Sequence, residues 1–550
     1  MISQNQFTEN LVQELPRTRF KCPHSHKTTG NTGEFIPIYA KEILPHDTIS
    51  MNLRSLVKMT TPAFQTMDNL FMDVAFFFIP RRLVWEHWKE FQGEKHGIPR
   101  QEQPEYTIPT TSAPEGGWAK GTIADHLEIP TYKENIKPVD SAYFRAYCLV
   151  WNEWYRDQFR QQETDFTIDD VNVVGSNGNN YITDAILGGK PLKVAKLHDY
   201  FTSTLLSAQD GNPVQLPLGS TAAVIGNGLT LGLTNGTTTG GLIGNTSDSG
   251  TLYAKADIQG NPPAGSPIGI GGDAMGGVLG VTSDPTYSGL IADLSTATAA
   301  TIAQLRMAFA LQRIFENNNR SGTRYTEILA NRWGVTPPDA SLQRPEYLGG
   351  KRIPITMDMV VQTSSTDETS PLGQISGFVN QWDEDEMFTK SFEEHGILMG
   401  FAYVRHQRTY QQGLHRKFTR QDMEDFYMPE FAHLGEQPVY NYQIYSSGTS
   451  ADDEVFGYQE YGAEYRFEQN AVTGQFRSNS PNSFDNWHYA DDYADTPVNN
   501  ADWIVENPDA VDRTLTLPSS TNDQFYFDFY FDETDVRSIP AHSIPVQMNM

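Results

Sequence analysis

The chain has 550 residues, and its 40 Lys and Arg against 68 Asp and Glu give a formal net charge of −28. So acidic a surface repels phosphates, which excludes general coating of nucleic acid and leaves only local contacts with DNA. The length predicts one large core with insertions, or two to three domains. Cys22 and Cys148 are too few for a disulfide framework. No signal peptide and no run of about 20 apolar residues is present, so a membrane span is excluded.

Residues 1–33 are polar and read as an irregular N-terminal arm. The arm carries a small basic cluster that includes Arg17, Arg19, Lys21 and Lys27. Such a cluster is most often a solvated surface, but lysine and arginine in an internal arm could also displace counterions from phosphates. His24 and His26 are possible metal ligands by type, yet no further histidine or cysteine stands at ligand spacing.

The stretch 64–91 predicts a central strand followed by a short helix. Both alternating faces are apolar from Val74 to Ile79, which is typical of a strand buried between two layers. Pro80 ends the strand because it cannot donate to a sheet. Leu83, Val84, Trp88 and Phe91 then recur at helical spacing.

Further elements follow along the chain. Aromatic residues at three- and four-residue steps predict a helix over 141–160, with Ser141 as its N-cap. Residues 300–319 predict a second helix with a broad apolar face. The segment 525–532 alternates Phe with Tyr or Asp, which predicts a strand with one face in a core and one face wet or at an interface.

Residues 204–299 differ in composition from the rest. Between 211 and 290 there are 19 Gly, one Lys and no Arg or Glu. A flexible linker would fit, but the scattered β-branched residues favour short strands joined by tight turns.

Several separated motifs carry a family resemblance. MDNLFMDVAFFFIPRRLVWEHWKEFQGE at 67–94, FRAYCLVWNEWYRD at 144–157 and MPEFAHLGEQPVYN at 428–441 resemble the major capsid proteins of the Microviridae, in the gokushovirus branch. These proteins enclose the circular single-stranded DNA of small icosahedral bacteriophages. The resemblance covers nearly the whole chain except 204–299.

The resemblance implies an eight-stranded antiparallel jelly roll with long loop insertions that contain a few helices. The jelly roll would consist of residues 34–203 and 300–550, and the 204–299 insertion would form a surface protrusion at the threefold axis, used in host attachment. The many short aromatic strands and the long Pro- and Gly-rich loops independently favour a sandwich with elaborated connections.

The function implied is that of a structural protein whose copies form a T=1 icosahedral shell. Its expected partners are other copies of itself, single-stranded DNA on the inner face, a small basic DNA-binding virion protein, a pilot protein and a host cell-surface receptor. The net acidity also favours a separate basic protein, because this chain cannot neutralise a genome. The expected location is the virion, assembled in the bacterial cytoplasm without a membrane.

Two sets of residues are predicted to act in the shell. The aromatic residues predicted to supply subunit interface area are Trp85, Trp88, Tyr147, Trp151 and Trp154. The basic residues predicted to contact DNA are Arg17, Arg19, Lys21, Lys27, Arg405, Arg408, Arg416 and Lys417. Ordinary surface or interface ion pairs are an equally good interpretation of the last four.

No motif for catalysis or cofactor binding occurs in the sequence. The acidic run 383–386 is most simply a solvated charge run, although a structural divalent cation such as calcium could bind there. Two alternatives from other classes are a glycan-binding or glycan-hydrolysing β-sandwich and a minor receptor-binding spike protein. Neither an enzyme nor a resident cofactor is therefore expected.

Overall fold

The computed structural model describes residues 17–64, 66–94, 104–214, 302–356, 381–433 and 435–542, with the backbone of further strands at 223–234, 239–246, 252–256, 280–281, 288–293, 359–361 and 375–378. The chain divides into a larger unit, Met1–Asp210 with Glu316–Met550, and a smaller unit, Gly211–Phe315. The smaller unit is shifted towards the C-terminus relative to the predicted insertion at 204–299.

The elements are numbered along the chain. The strands are β1 (Thr18–Lys21), β2 (His24–Gly30), β3 (Ile36–Ile43), β4 (Thr48–Met59), β5 (Leu70–Pro80), β6 (Thr110–Ser112), β7 (Val139–Asp140), β8 (Val173–Val174), β9 (Ala223–Thr234), β10 (Thr239–Thr246), β11 (Leu252–Ala256), β12 (Gly280–Val281), β13 (Ser288–Asp293), β14 (Glu346–Ile355), β15 (Met359–Val361), β16 (Ile375–Phe378), β17 (Gln381–Ser391), β18 (Gly396–His406), β19 (Glu436–Tyr440), β20 (Val455–Glu460) and β21 (Phe525–Arg537). The helices are α1 (Trp88–Phe91), α2 (Ile123–His126), α3 (Ala142–Val150), α4 (Ile302–Ser321), α5 (Tyr325–Trp333), α6 (Asn441–Ile444), α7 (Ala501–Ile504) and α8 (Asp509–Asp512).

Two antiparallel sheets form the centre of the larger unit. One has the strand order β1, β21, β4, β17, with β2 also paired to β21, and the other has the order β14, β5, β18, β3. Since β1 and β2 pair with successive parts of β21, they act as one interrupted strand. Each sheet thus has four strand positions, which confirms the predicted eight-stranded antiparallel sandwich with helices in its loops.

The first core contains side chains from both sheets. It includes Leu53 of β4, Phe76 of β5, Leu398 of β18 and Phe529 of β21, all nearly or fully buried. The Phe side chains of β21 alternate into this core, as predicted, whereas Tyr526 and Tyr530 on the other face are exposed. Burying one such Phe side chain contributes about 1.5–3 kcal/mol.

A second core covers the opposite face of β5. Ala75, Phe77 and Ile79 alternate with the residues of the first core and pack in a cluster with Phe144 of α3 and Phe401 of β18. The prediction that β5 is buried on both faces is therefore confirmed, and its cause is helix α3 lying over the sheet.

The predicted helix at 141–160 is shorter than expected. The α-helix ends at Val150, a π-helical turn covers Trp151–Tyr155, and Arg156 is extended. The carboxylate of Asp157 accepts the backbone N–H groups of Phe159 and Arg160, which gives those donors a partner outside a helix. Ser141 precedes α3 but makes no side-chain capping bond, since its hydroxyl pairs with Thr111 instead.

The prediction of an irregular arm at 1–33 is wrong for the described residues. Strands β1 and β2 pair along β21, and the ring of His24 stacks on Phe531 with 5.0 Å between centroids. Backbone pairing holds this polar segment in the sheet, so it needs no apolar alternation of its own.

The smaller unit contains strands, as its β-branched residues predicted. Strand β9 pairs antiparallel with β10, β12 and β13, and β10 pairs with β11. Helix α4, predicted at 300–319, runs from Ile302 to Ser321.

Candidate functional site

The aromatic residues predicted at the subunit interface lie mostly inside the protomer. Trp85, Trp88, Tyr147 and Trp151 are at most 8% exposed. The Tyr147 hydroxyl donates to the carbonyl of Phe35 at 2.8 Å, and the Trp151 indole donates to that of Lys193 at 3.0 Å. These four side chains already use their contact area within the fold, so the prediction that they supply surface to a neighbour is wrong.

The predicted DNA contact Arg408 is also buried. Its guanidinium lies 2.7 Å from Asp491 Oδ1 and 2.7 Å from Glu506 Oε2, and His406 Nδ1 lies 2.7 Å from the other Glu506 oxygen. Burial alone would raise the pKa of both carboxyls, but the charge of Arg408 outweighs it and lowers each pKa to about 2. Arg408 therefore holds the interior together and cannot reach a phosphate, which corrects the prediction.

The N-terminal basic residues lie on the sheet containing β21. Arg17, Arg19, Lys21 and Lys27 are all exposed. Arg17 donates to the carbonyl of His46 at 2.8 Å, and Lys27 lies 3.1 Å from Asp528. Their accessibility leaves the prediction of phosphate contact open at these four positions.

Arg416 and Lys417 stand on a 3₁₀ turn at Arg416–Phe418. Arg416 donates to the carbonyl of Pro438 at 3.3 Å, and Glu464 lies 4.0 Å away. Lys417 is exposed, and its ammonium lies 5.2 Å from the ring centre of Phe418. Of the two, Lys417 is the freer cation.

Arg405 lies in an open cleft built around Asp73 of β5. Arg352 of β14 donates to both oxygens of this carboxylate at 2.7 and 3.0 Å, and Arg405 of β18 donates to one of them. Because these three strands are neighbours, one carboxylate holds two guanidiniums and one unit of positive charge remains. Arg352 is 48% exposed in its side chain.

Aromatic side chains line the rest of this cleft, which has a volume of 440 Å³. Tyr347 is 45% exposed, whereas Tyr403 is buried, and burial raises the pKa of the Tyr403 hydroxyl. Trp154, the remaining predicted interface residue, is half-buried here, with the Arg344 guanidinium 3.9 Å from its ring centre. We call this site the Asp73 cleft.

The acidic run at 383–386 lies on β17 and faces cations of the chain. Asp383 and Asp385 both approach Lys351 at 2.9 Å, and Glu384 lies 2.8 Å from Arg54. Lys351 also lines the Asp73 cleft, but these two carboxylates exceed its charge by one negative unit.

A second open cleft, of 740 Å³, lies beside exposed aromatic rings. We call its aromatic lining, Phe426, Tyr427, Tyr461 and Tyr465, the aromatic patch. Tyr427 stacks on Tyr461 with 5.3 Å between ring centres, and Phe426 and Tyr465 are each more than half exposed. The guanidinium of Arg420 lies 4.7 Å from the ring centre of Tyr465 and 5.2 Å from that of Phe426. Large exposed apolar groups in a cluster are typical of a surface that another molecule covers.

Sequence reasoning missed the aromatic patch and the centre of the Asp73 cleft. The signal for the cleft was Asp73 itself, because a charged residue inside an otherwise apolar strand requires a buried partner. The patch has no comparable signal, since its rings come from two loop segments, 426–427 and 461–465, that only the fold brings together.

The architecture defines a class of protein. Two antiparallel sheets of four strand positions each, joined by long insertions, form a jelly roll of the type found in viral shells. Among the described residues, no helix is long and apolar enough to cross a membrane. The two clefts on the surface of the larger unit, the Asp73 cleft and the cleft beside the aromatic patch, both combine aromatic rings with paired charges.

Comparison with known proteins identifies the family. Residues 11–547 match the family model described as capsid protein (F protein), so the chain belongs to this family of phage capsid proteins. It is 38% identical to capsid protein VP1 of Bdellovibrio phage phiMH2K, over 99% of this chain and 98% of that protein. Capsid protein VP1 of Spiroplasma virus 4 is 38% identical over 96% of this chain and 95% of its own length, and that of Chlamydia phage 1 is 34% identical over 99% and 98%. The predicted resemblance to Microviridae capsid proteins is confirmed.

Proposed function

We propose that this protein is the major shell protein of a small phage and that its copies close into a T=1 icosahedron around circular single-stranded DNA. The match to the capsid family over 11–547 carries the proposal. The protein's role is structural, and the family favours it over the glycan-binding and minor-spike alternatives. Its place is the virion, with assembly in the host cytoplasm.

The aromatic patch is the surface of the larger unit that we assign to contact with a neighbouring copy. An exposed cluster of rings gains free energy when a second protein surface covers it, and Tyr and Phe are enriched in such interfaces. Closed symmetry then repeats the same contact around the shell.

Replacing Phe426 with glutamate tests this assignment. Phe426 is 53% exposed, so the free energy of unfolding should change by no more than about 1 kcal/mol. The yield of closed particles should fall at least about tenfold, since covering the patch would then remove a carboxylate from water and the ring of Phe426 would be lost from the contact. Particle yield is measured by sedimentation, and folding by circular dichroism.

The matched control is Val498→Glu, because Val498 is 69% exposed and lies outside the patch. This variant should assemble like the wild type. Normal assembly of Phe426→Glu would remove the patch from the interface.

We assign the Asp73 cleft to contact with the genome. Tyr347 offers an exposed ring on which a base can stack, and Arg352 offers a half-exposed guanidinium to a phosphate. Asp73 holds Arg352 and Arg405 in place, so that the half-exposed guanidinium of Arg352 is positioned for direct contact with a phosphate.

Arg352→Gln should weaken binding of a single-stranded oligonucleotide to the full-length protein, while Arg405 still pairs with Asp73. Removing a single interaction with a phosphate lowers the slope of log affinity against log salt by about 0.7. Filter binding at several salt concentrations measures both quantities, with Arg466→Gln as control because Arg466 is an exposed arginine paired with Glu460. An unchanged slope in Arg352→Gln would exclude this interaction.

Three further parts of the proposal concern partners. The smaller unit, Gly211–Phe315, is assigned to a protrusion at the threefold axis that meets a host receptor, supported by its separation as a compact unit of distinct composition. The net charge of −28 favours a small basic protein bound to the genome, because the shell cannot neutralise it. A pilot protein completes the expected set, on the family resemblance alone.

A further inference from the structure

Three potential metal ligands meet on the surface of the larger unit, away from the Asp73 cleft and the aromatic patch. Glu86, His87 and Asp170 each place one ligand atom within 4.8 Å of the others, and they form the only such group of three among the described residues. Glu86 and His87 follow β5, whereas Asp170 lies in a loop preceding β8. The sequence separates them by more than 80 residues, so only the fold reveals the group.

Both carboxylates converge on one ring nitrogen. His87 Nδ1 lies 2.8 Å from Asp170 Oδ2 and 3.7 Å from Glu86 Oε1. The nitrogen is buried, and no described residue offers it a hydrogen bond of good geometry. A single proton on His87 Nδ1 can hydrogen-bond only one carboxylate well, so it does not explain why both Glu86 and Asp170 lie close to this nitrogen.

Neighbouring residues hold the ligands in place. The Trp85 indole donates to Asp170 Oδ1, and the His87 ring stacks on Tyr106 with 4.2 Å between centroids. The backbone N–H of Glu86 donates to the carbonyl of Ile168 at 3.0 Å, which fixes the loop beside the turn. Such outer contacts orient ligands at metal sites.

Buried Arg145 adds a second clamp below the group. It donates to the carbonyls of Val84 and Asp169 at 3.1 and 2.8 Å, so it joins the same two segments from beneath.

We propose that Glu86, His87 and Asp170 bind a divalent transition-metal ion, with Zn²⁺ as the best fit. Zinc accepts one imidazole and two carboxylates in tetrahedral geometry, and its ligand atoms lie about 3.3–3.6 Å apart. The observed separations of 2.8 and 3.7 Å bracket this range. Two carboxylates and a neutral imidazole balance the charge of the ion, and the imidazole binds through Nδ1 as the tautomer that keeps its one ring proton on Nε2.

The fourth ligand position faces solvent, because the side chains of Glu86 and Asp170 are 49% and 42% exposed. Water completes the coordination there. The ion would tie the turn after β5 to the loop at 168–170 and so stiffen the edge of the second core.

The test measures zinc bound to the full-length protein. The protein is stripped with a chelator, equilibrated with micromolar Zn²⁺ and analysed for metal per chain. Wild type and His433→Ala, which changes an exposed histidine elsewhere, should each retain one zinc ion more per chain than His87→Ala. Added zinc should raise the thermal midpoint of the wild type but not that of His87→Ala.

Two more variants keep the outcome decisive. Asp170→Asn should also lose this zinc ion, and it replaces His87→Ala as the test variant should His87→Ala fold poorly. Trp85→Phe should bind zinc about tenfold more weakly, because Asp170 loses the indole donor that orients it. Equal zinc content in wild type and His87→Ala, with both folded, would overturn the proposal. Calcium binding that survives His87→Ala would assign the two carboxylates to a hard cation instead.

Discussion

Replacing Arg408 with alanine is expected to destabilise the protomer by about 3–5 kcal/mol, the usual cost of removing one partner of a buried ion pair. Arg408 is the cation between Asp491 and Glu506, and all three side chains are almost completely buried. Its loss removes from the interior the guanidinium that pairs with both carboxylates. Equilibrium unfolding in urea, followed by circular dichroism, measures the effect.

The control for this prediction is Arg466→Ala. Arg466 also pairs with a carboxylate, that of Glu460, but its side chain is 54% exposed. An exposed pair contributes at most about 1 kcal/mol, so the urea midpoint should hardly move. Equal shifts in the two variants would contradict the assignment of Arg408 to a buried cluster.

The same cluster predicts an acid dependence of stability. In the folded protein the pKa of Asp491 and of Glu506 is lowered to about 2, whereas in the unfolded chain both lie near 4. The two carboxylates therefore make their full contribution to the free energy of unfolding above about pH 4.5, and this contribution is lost as the pH falls through about 2. Wild type should lose stability over this range, and Arg408→Ala should lose less.

Trp151→Ala should cost about 3–5 kcal/mol through the cavity it leaves in the second core. The side chain is 1% exposed and its indole donates to the carbonyl of Lys193. The prediction is failure of folding, seen as a lower urea midpoint and a low yield of soluble protein, with the loss of assembly as a consequence.

Trp333→Ala is the matched control, because Trp333 is 65% exposed at the end of α5. The free energy of unfolding of this variant should stay within about 1 kcal/mol of that of the wild type. If Trp151→Ala kept wild-type stability but failed to assemble, Trp151 would belong to the subunit interface after all.

Strands with strict alternation could be predicted from the sequence. The Phe residues of β21 and the two apolar faces of β5 each indicated the layer that they occupy. The capsid motifs then implied the sandwich, and the family match confirms it.

Strands β1 and β2 escaped prediction because their pairing depends on β21, about 500 residues away, and not on their own polar side chains. The early end of the predicted helix was equally hidden: helical structure stops at Tyr155, and the side chain of Asp157 then accepts the backbone N–H groups of Phe159 and Arg160.

The candidate site was predictable only in part. Arg405 and Arg408 stand three residues apart in one basic stretch, yet Arg405 opens into a cleft and Arg408 is enclosed. The partners that decide this, Asp73 for one and Asp491 with Glu506 for the other, lie far along the chain. A basic cluster in a sequence therefore indicates charge but not whether that charge reaches the surface.

Electron microscopy of the purified full-length protein, mixed with circular single-stranded DNA, tests the central claim most directly. We expect closed particles of a single diameter whose reconstruction has icosahedral symmetry, one copy of the chain at each symmetry position and the smaller unit protruding at the threefold axes. A protein that stays monomeric at assembly concentrations, or that occupies only a few positions on a shell built by another chain, would contradict it.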